Sequence, residues 1–181
     1  MEFRRPDSYQ VSINLPFGLG GIQGTWEPND AEKKAAWEMY IELATRISAA
    51  PLDPEDGILR EALSSMHSIF GTTRDILRQY GPEVAQYEGK ERMSFGYLAI
   101  EILNNVLRPL LAKWHPLLQS YESKRSDKIS VAEHERNWER NQELRQEIDK
   151  VRTSLVEYID TLANVAGVPP LTLFSRTSHK D

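Results

Sequence analysis

Apolar residues recur at steps of three and four through residues 95–118, FGYLAIEILNNVLRPLLAKWHPLL. Phe95, Leu98, Ala99, Ile102, Leu103, Val106, Leu107, Leu110, Leu111 and Trp114 form one wide face. A helix apolar over that much of its circumference is buried by neighbours on more than one side. The pattern predicts the central helix of a bundle, with Ser94 as its cap. Pro109 cannot donate to the carbonyl of Asn105, which predicts a kink there. His115-Pro116 predicts a second break, because the residue before proline avoids the helical region. Arg108, Pro109 and Lys113 in the middle argue against a membrane span.

Three more helices follow from the same kind of reading. Asn29 to Glu32 spells a capping box, and Trp37, Tyr40, Ile41, Ala44 and Ile47 give a stripe over residues 30–49, ended by Pro51. Asp53-Pro54 is the next start signal. It opens a long helix to Tyr80 with a stripe through Leu59, Leu63, Met66, Phe70, Thr73 and Leu77, ended by Gly81-Pro82. Gly71 lies inside it and is expected to mark close helix packing. Ser130 to Glu133 forms a second capping box. From it a last helix is expected to run to Ala166, ended by Gly167 and Pro169-Pro170. Leu144, Ile148, Val151, Leu155, Tyr158, Leu162 and Val165 make its stripe coiled-coil-like. If the central and last helices are antiparallel, Trp138 falls near Trp114, Leu118 and Tyr121, and the ends of the two helices form a polar hairpin projecting beyond the core.

Strand signals are few. Val11, Ile13 and Leu15 alternate, which predicts a short strand over residues 9–15. Residues 18–28, GLGGIQGTWEP, read as a glycine-rich loop. Residues 82–93 lack periodicity and read as a long loop. Residues 171–174 could pair with residues 11–15, and the last seven residues are expected to be disordered. The expected fold is all-α: a four-helix, mainly antiparallel bundle with a long kinked central helix and a short N-terminal β segment. Its parts are a strand and glycine-rich loop (1–28), the helical bundle (29–167) and a tail (168–181).

Composition narrows the function classes. A chain of 181 residues with 40% hydrophobic and 27% charged residues suits one ordinary domain. A net charge of −5 gives no strong nucleic-acid signal and no pull toward an anionic membrane. The absence of cysteine removes disulfides, thiolate metal sites and a cysteine nucleophile. The first ten residues carry two arginines but no apolar run, so no secretory signal is expected and the expected location is cytoplasmic.

Catalytic patterns are scarce. The glycines at 18, 20, 21 and 24 miss the dinucleotide spacing, and no Gly-Lys-Ser/Thr follows. There is no Gly-x-Ser-x-Gly elbow. None of His67, His115, His134 and His179 belongs to a Glu-x-x-His or His-Glu-x-x-His pattern, so neither a metal site nor a cofactor is expected. One spacing carries chemistry: Arg108-PLLAKW-His115, echoed by Arg60-EALSSM-His67. This eight-residue motif resembles the arginine–histidine pair of the small helical ribonucleases of the HEPN type, although Pro109 stands where a polar residue is common. The resemblance implies a dimer that brings two such pairs to one RNA phosphate. Arg108 would steady the charged phosphorane and His115 would move the proton.

The leading expectation is nevertheless a non-catalytic interaction module, a subunit or accessory protein of a larger assembly. Its partner is expected to be another protein or a second copy. Tyr121, Trp138 and Tyr87 are its candidate contact residues. The HEPN-like ribonuclease is the alternative. A third reading is a small-ligand sensor using an interior polar cluster of Glu101, Asn104, Asn105 and Arg108.

Overall fold

A computed structural model describes residues 6–46, 49, 51–52 and 57–171. Its N-terminal part is a β-hairpin. β1 (Tyr9–Asn14) pairs antiparallel with β2 (Gly21–Trp26), with Ile13 opposite Ile22 and Tyr9 opposite Trp26. A two-residue β3 (Arg92–Met93) adds to β2 in parallel, so the sheet order is β1-β2-β3. The molecule is therefore mostly helical with a small three-stranded sheet, and all-α is corrected. Residues 18–28 are not merely a loop, since β2 lies within them. Only Ile22 and Trp26 show its period of two, because the position between them is Gly24. A Cβ there would stand 2.7 Å from Met93 Cε and 2.9 Å from the Glu91 carbonyl, so β3 approaches only because Gly24 has none.

The helices are α1 (Asp30–Ala44), α2 (Leu59–Tyr80), α3 (Phe95–Glu101), α4 (Arg108–Glu122), α5 (Val131–Arg136) and α6 (Asn141–Ala166). α6 packs along α1 and β1 and also meets α4. α2 lies between α1 and α4. Every residue of the stripe Leu144, Ile148, Val151, Leu155, Tyr158, Leu162 and Val165 is buried, as are Leu98, Ile102, Val106, Leu110 and Trp114 of the central stretch.

The capping box at Asn29 forms as expected, and Glu32 does more than close it. Its carboxylate accepts from the Asn29 N–H at 2.9 Å, the Trp26 indole N–H at 3.1 Å and the Phe95 backbone N–H at 2.9 Å. One buried side chain thus joins the end of β2 to the first turns of α1 and α3. Burial holds its carboxyl above the ordinary range, against the opposing pull of these N–H bonds.

Several boundaries differ from expectation. α1 ends at Ala44 rather than 49. Asp53 and Pro54 lie outside the described residues, and α2 begins at Leu59. There Glu135 of α5, also buried, accepts from the N–H groups of Leu59 at 2.7 Å and Arg60 at 3.2 Å. The supposed loop 82–93 holds a 3₁₀ turn (Gly81–Ala85) and β3. Gly96 of α3 lets this turn come close, because a Cβ there would meet the Ala85 Cβ at 2.5 Å.

At Pro109 the expected kink becomes a π-helical segment, Ile102–Leu107, in which the Arg108 N–H reaches back to the Leu103 carbonyl. A widened turn makes room for a proline ring that an α-helical turn would press against a carbonyl. Pro116 does not break the chain either, and α4 continues through it to Glu122. Trp114 and Leu118, buried on either side, hold the helical path against the local preference. The last helix is instead divided into α5 and α6 by a turn at 137–140. The hairpin does not project whole, since Trp138 and Glu135 are buried in it.

β1 pairs with β2, and the pairing expected between residues 171–174 and residues 11–15 involves residues 172–174, which lie outside the described residues, as do the last seven. Gly71 also departs from expectation, because nothing lies within 4 Å of a Cβ built on it. It is exposed in mid-helix. Gly71→Ala should therefore raise stability by about 0.5–1 kcal/mol through the unfolded chain's entropy. A lowered thermal midpoint would disprove the open surroundings.

Candidate functional site

α2 and α4 run side by side, and helical spacing sets several basic groups on their facing sides. His67, Phe70 and Arg74 recur at three and four on α2. Arg108, Leu111, Ala112 and His115 do so on α4. These seven residues line one open cavity of about 310 Å³. Phe70 is buried in its floor, with the Arg108 Cζ 5.3 Å and the Arg74 Cζ 5.8 Å from its ring centre. The cavity has no carboxylate in its lining.

The two Arg-x6-His pairs meet here, but crosswise. Arg60 turns to His115 and not to His67, with its Nη1 2.7 Å from His115 Nδ1. The two imidazoles then meet edge to face at 5.6 Å. Arg60 also grips Glu122 through Nε at 3.0 Å and Nη2 at 2.8 Å. A guanidinium only donates, so His115 Nδ1 accepts, and a neutral ring carries its proton on Nε2. Nε2 is buried with no hydrogen-bond partner among the described residues. Burial first, then Arg60 and His67, push the His115 pKa below the ordinary imidazole value, with Glu122 opposing.

This arrangement sets a pH dependence. His115 resists protonation in the folded protein, whereas in the unfolded chain it takes up a proton near its ordinary value of 6.5. Below that pH the unfolded chain binds more protons, so stability should fall as pH drops from about 6.5 toward the depressed folded value. His115→Gln keeps an acceptor for Arg60 and cannot titrate. Urea unfolding of both proteins across this range should show a shallower loss in the variant. Parallel pH profiles would disprove the neutral-ring geometry.

The other candidate residues are dispersed. Asn105 donates to Glu101 at 2.6 Å and Arg108 Nε donates to Asn104 at 3.1 Å, two separate links within one helix. Asn104 and Arg108 are exposed, and Glu101 and Asn105 are half-buried. Tyr121 lies between His134, at 4.1 Å, and Trp138, at 5.3 Å, and Trp138 meets Trp114 edge to face at 6.0 Å. Trp138 is 7% exposed. Tyr121 and His134 also exchange hydrogen bonds, each with the other's backbone carbonyl, at 2.9 and 3.0 Å.

Tyr87 is the most open of the three candidate contact residues, at 80% exposure. Tyr97 (48%) and Ile100 (46%), from the outer side of α3, join it around a second hollow of about 410 Å³. Arg74, Tyr97 and Ile100 escaped the sequence reading. Arg74 was legible as the residue one turn beyond Phe70. Tyr97 and Ile100 were hidden by their place inside the most apolar stretch of the chain.

Among the described residues no helix is long and apolar enough to cross a membrane. Compared with known protein families, curated proteins and solved structures, the chain matches none.

Proposed function

We propose that the protein is a non-catalytic helical interaction module that docks a protein partner at the hollow beside α3. In this reading α1, α2, the central stretch and α6 act as a four-helix, mainly antiparallel bundle that holds the surface rigid. The observation that carries it is the exposure of Tyr87, Tyr97 and Ile100 around one concavity. Large aromatic and aliphatic side chains gathered at a concave surface are the usual anchors of a protein contact. The 3₁₀ turn and Gly96 fix the wall of the hollow, so little ordering is needed on binding.

The ribonuclease alternative is less well supported. It asks His115 to exchange a proton with substrate, yet one ring nitrogen is bound to Arg60 and the other is shut away from solvent.

The test is affinity purification of the tagged full chain from its own host, beside a Tyr87→Ser/Tyr97→Ser double variant and Glu139→Ala, which alters an exposed residue of the 137–140 turn outside the hollow. A protein at stoichiometric yield should accompany the wild type and Glu139→Ala and be lost from the double variant. If the partner is a second copy of this chain, differently tagged copies co-purify and sedimentation shows the dimer. Retention of the partner by the double variant, or no stoichiometric protein at all, would overturn the reading.

A further inference from the structure

We infer that the cleft between α2 and α4 binds a phosphate monoester carried by a small molecule, gripped by Arg74 and Arg108 with His67 at the rim. The first argument is charge. Arg46, Arg60, Arg78, Arg92, Arg140 and Arg152 each pair with a carboxylate. Arg74 and Arg108, like Arg125 and Arg136, have no such partner among the described residues, and Arg74 and Arg108 face the same cavity, whose lining carries no acid. Two unneutralised guanidiniums on one concave surface repel each other, and a bound anion relieves that repulsion.

The second argument is geometry. Both guanidiniums are held against Phe70, which fixes them without using their N–H groups. The Arg74 side chain makes no hydrogen bond to any described residue. Arg108 spends only Nε, on Asn104, which leaves its two terminal nitrogens free. Guanidinium forks from two helices, with an exposed imidazole beside them, present more donors than a carboxylate can use. They match a dianion with three oxygens.

The third argument concerns the rest of the ligand. Phe70, Leu111 and Ala112 give the cavity an apolar floor, which suits an organic group next to the phosphate. The chain as a whole is acidic, at −5, which disfavours a long polyanion. No bond is made or broken in this site. It shares no residue with the hollow beside α3, so either proposal can fail without the other.

The experiment is titration calorimetry of the full chain with phenyl phosphate, inorganic phosphate and single-stranded RNA. Phenyl phosphate should give a saturable isotherm, tighter than inorganic phosphate. Arg74→Gln and Arg108→Gln should each weaken it by about tenfold or more. Arg78→Gln, which alters a paired arginine on the same helix, should leave it unchanged. In the wild type, phenyl phosphate should also shift the His67 ring resonances, a readout that needs no variant. Absence of saturable binding, equal affinity in all three variants, or RNA binding without phenyl phosphate binding would each overturn the inference.

Discussion

Replacing Glu32 by alanine should cost about 3–6 kcal/mol of folding stability, through three donors that lose a charged acceptor at about 1.5–3 kcal/mol each, less than additively. The donors are the Trp26 indole and the backbone N–H groups of Asn29 and Phe95, and the site is buried. Glu32→Gln is the sharper variant. It keeps one oxygen to accept but turns an NH₂ toward an N–H that wants an acceptor, so about half of the loss should remain. Urea unfolding followed by tryptophan fluorescence reads both, with the midpoint shifted and the slope unchanged. A loss under about 1 kcal/mol for the alanine variant would mean that water satisfies all three donors.

The second large effect belongs to Trp114. It is fully buried, Trp138 stands edge to face against it, and Arg140 and Lys113 lie over its ring at 4.5 and 4.6 Å. Trp114→Ala should cost about 3–5 kcal/mol. Its indole N–H has no hydrogen-bond partner among the described residues. Trp114→Phe therefore forfeits ring area but no hydrogen bond, and should cost less than about 1.5 kcal/mol. Combined with Trp138→Ala, the alanine change should be less than additive, because the two rings share one contact. Full additivity in that cycle would show that the stack contributes nothing of its own.

What the sequence discloses of this fold is whatever depends on neighbours in the chain. The stripe from Leu144 to Val165 is legible because a long amphipathic helix repeats its signal over several turns. The caps at Asn29, Ser94, Ser130, Gly81 and Gly167 are legible because each acts within a few residues of itself. What escapes is set by distant contacts. Gly24 looks like loop chemistry until β3 is seen pressed against it. α2 takes its cap from Glu135, on a helix that closes the turn from across the fold. Pro109 signals trouble in a helix but not its resolution, and a π segment is one solution among several. In the basic cleft the spacing of arginine and histidine was visible, yet the partners were not. Arg60 crosses to His115, and Arg74 belongs to no motif.

The N-terminal hairpin is locked to α6. Asn14 gives both its backbone and side-chain N–H to Glu157, at 2.6 and 2.9 Å, and Ser154 donates to the Asn14 carbonyl at 2.6 Å. Asn14 and Glu157 are 143 positions apart. On a ribosome moving at about 5–20 residues per second, Asn14 waits about 7–30 s for Glu157 to be synthesised. Through that interval Val11 and Ile13 face solvent without the helix that covers them. The buried face of the hairpin is therefore completed only once the segment that forms α6 has been made.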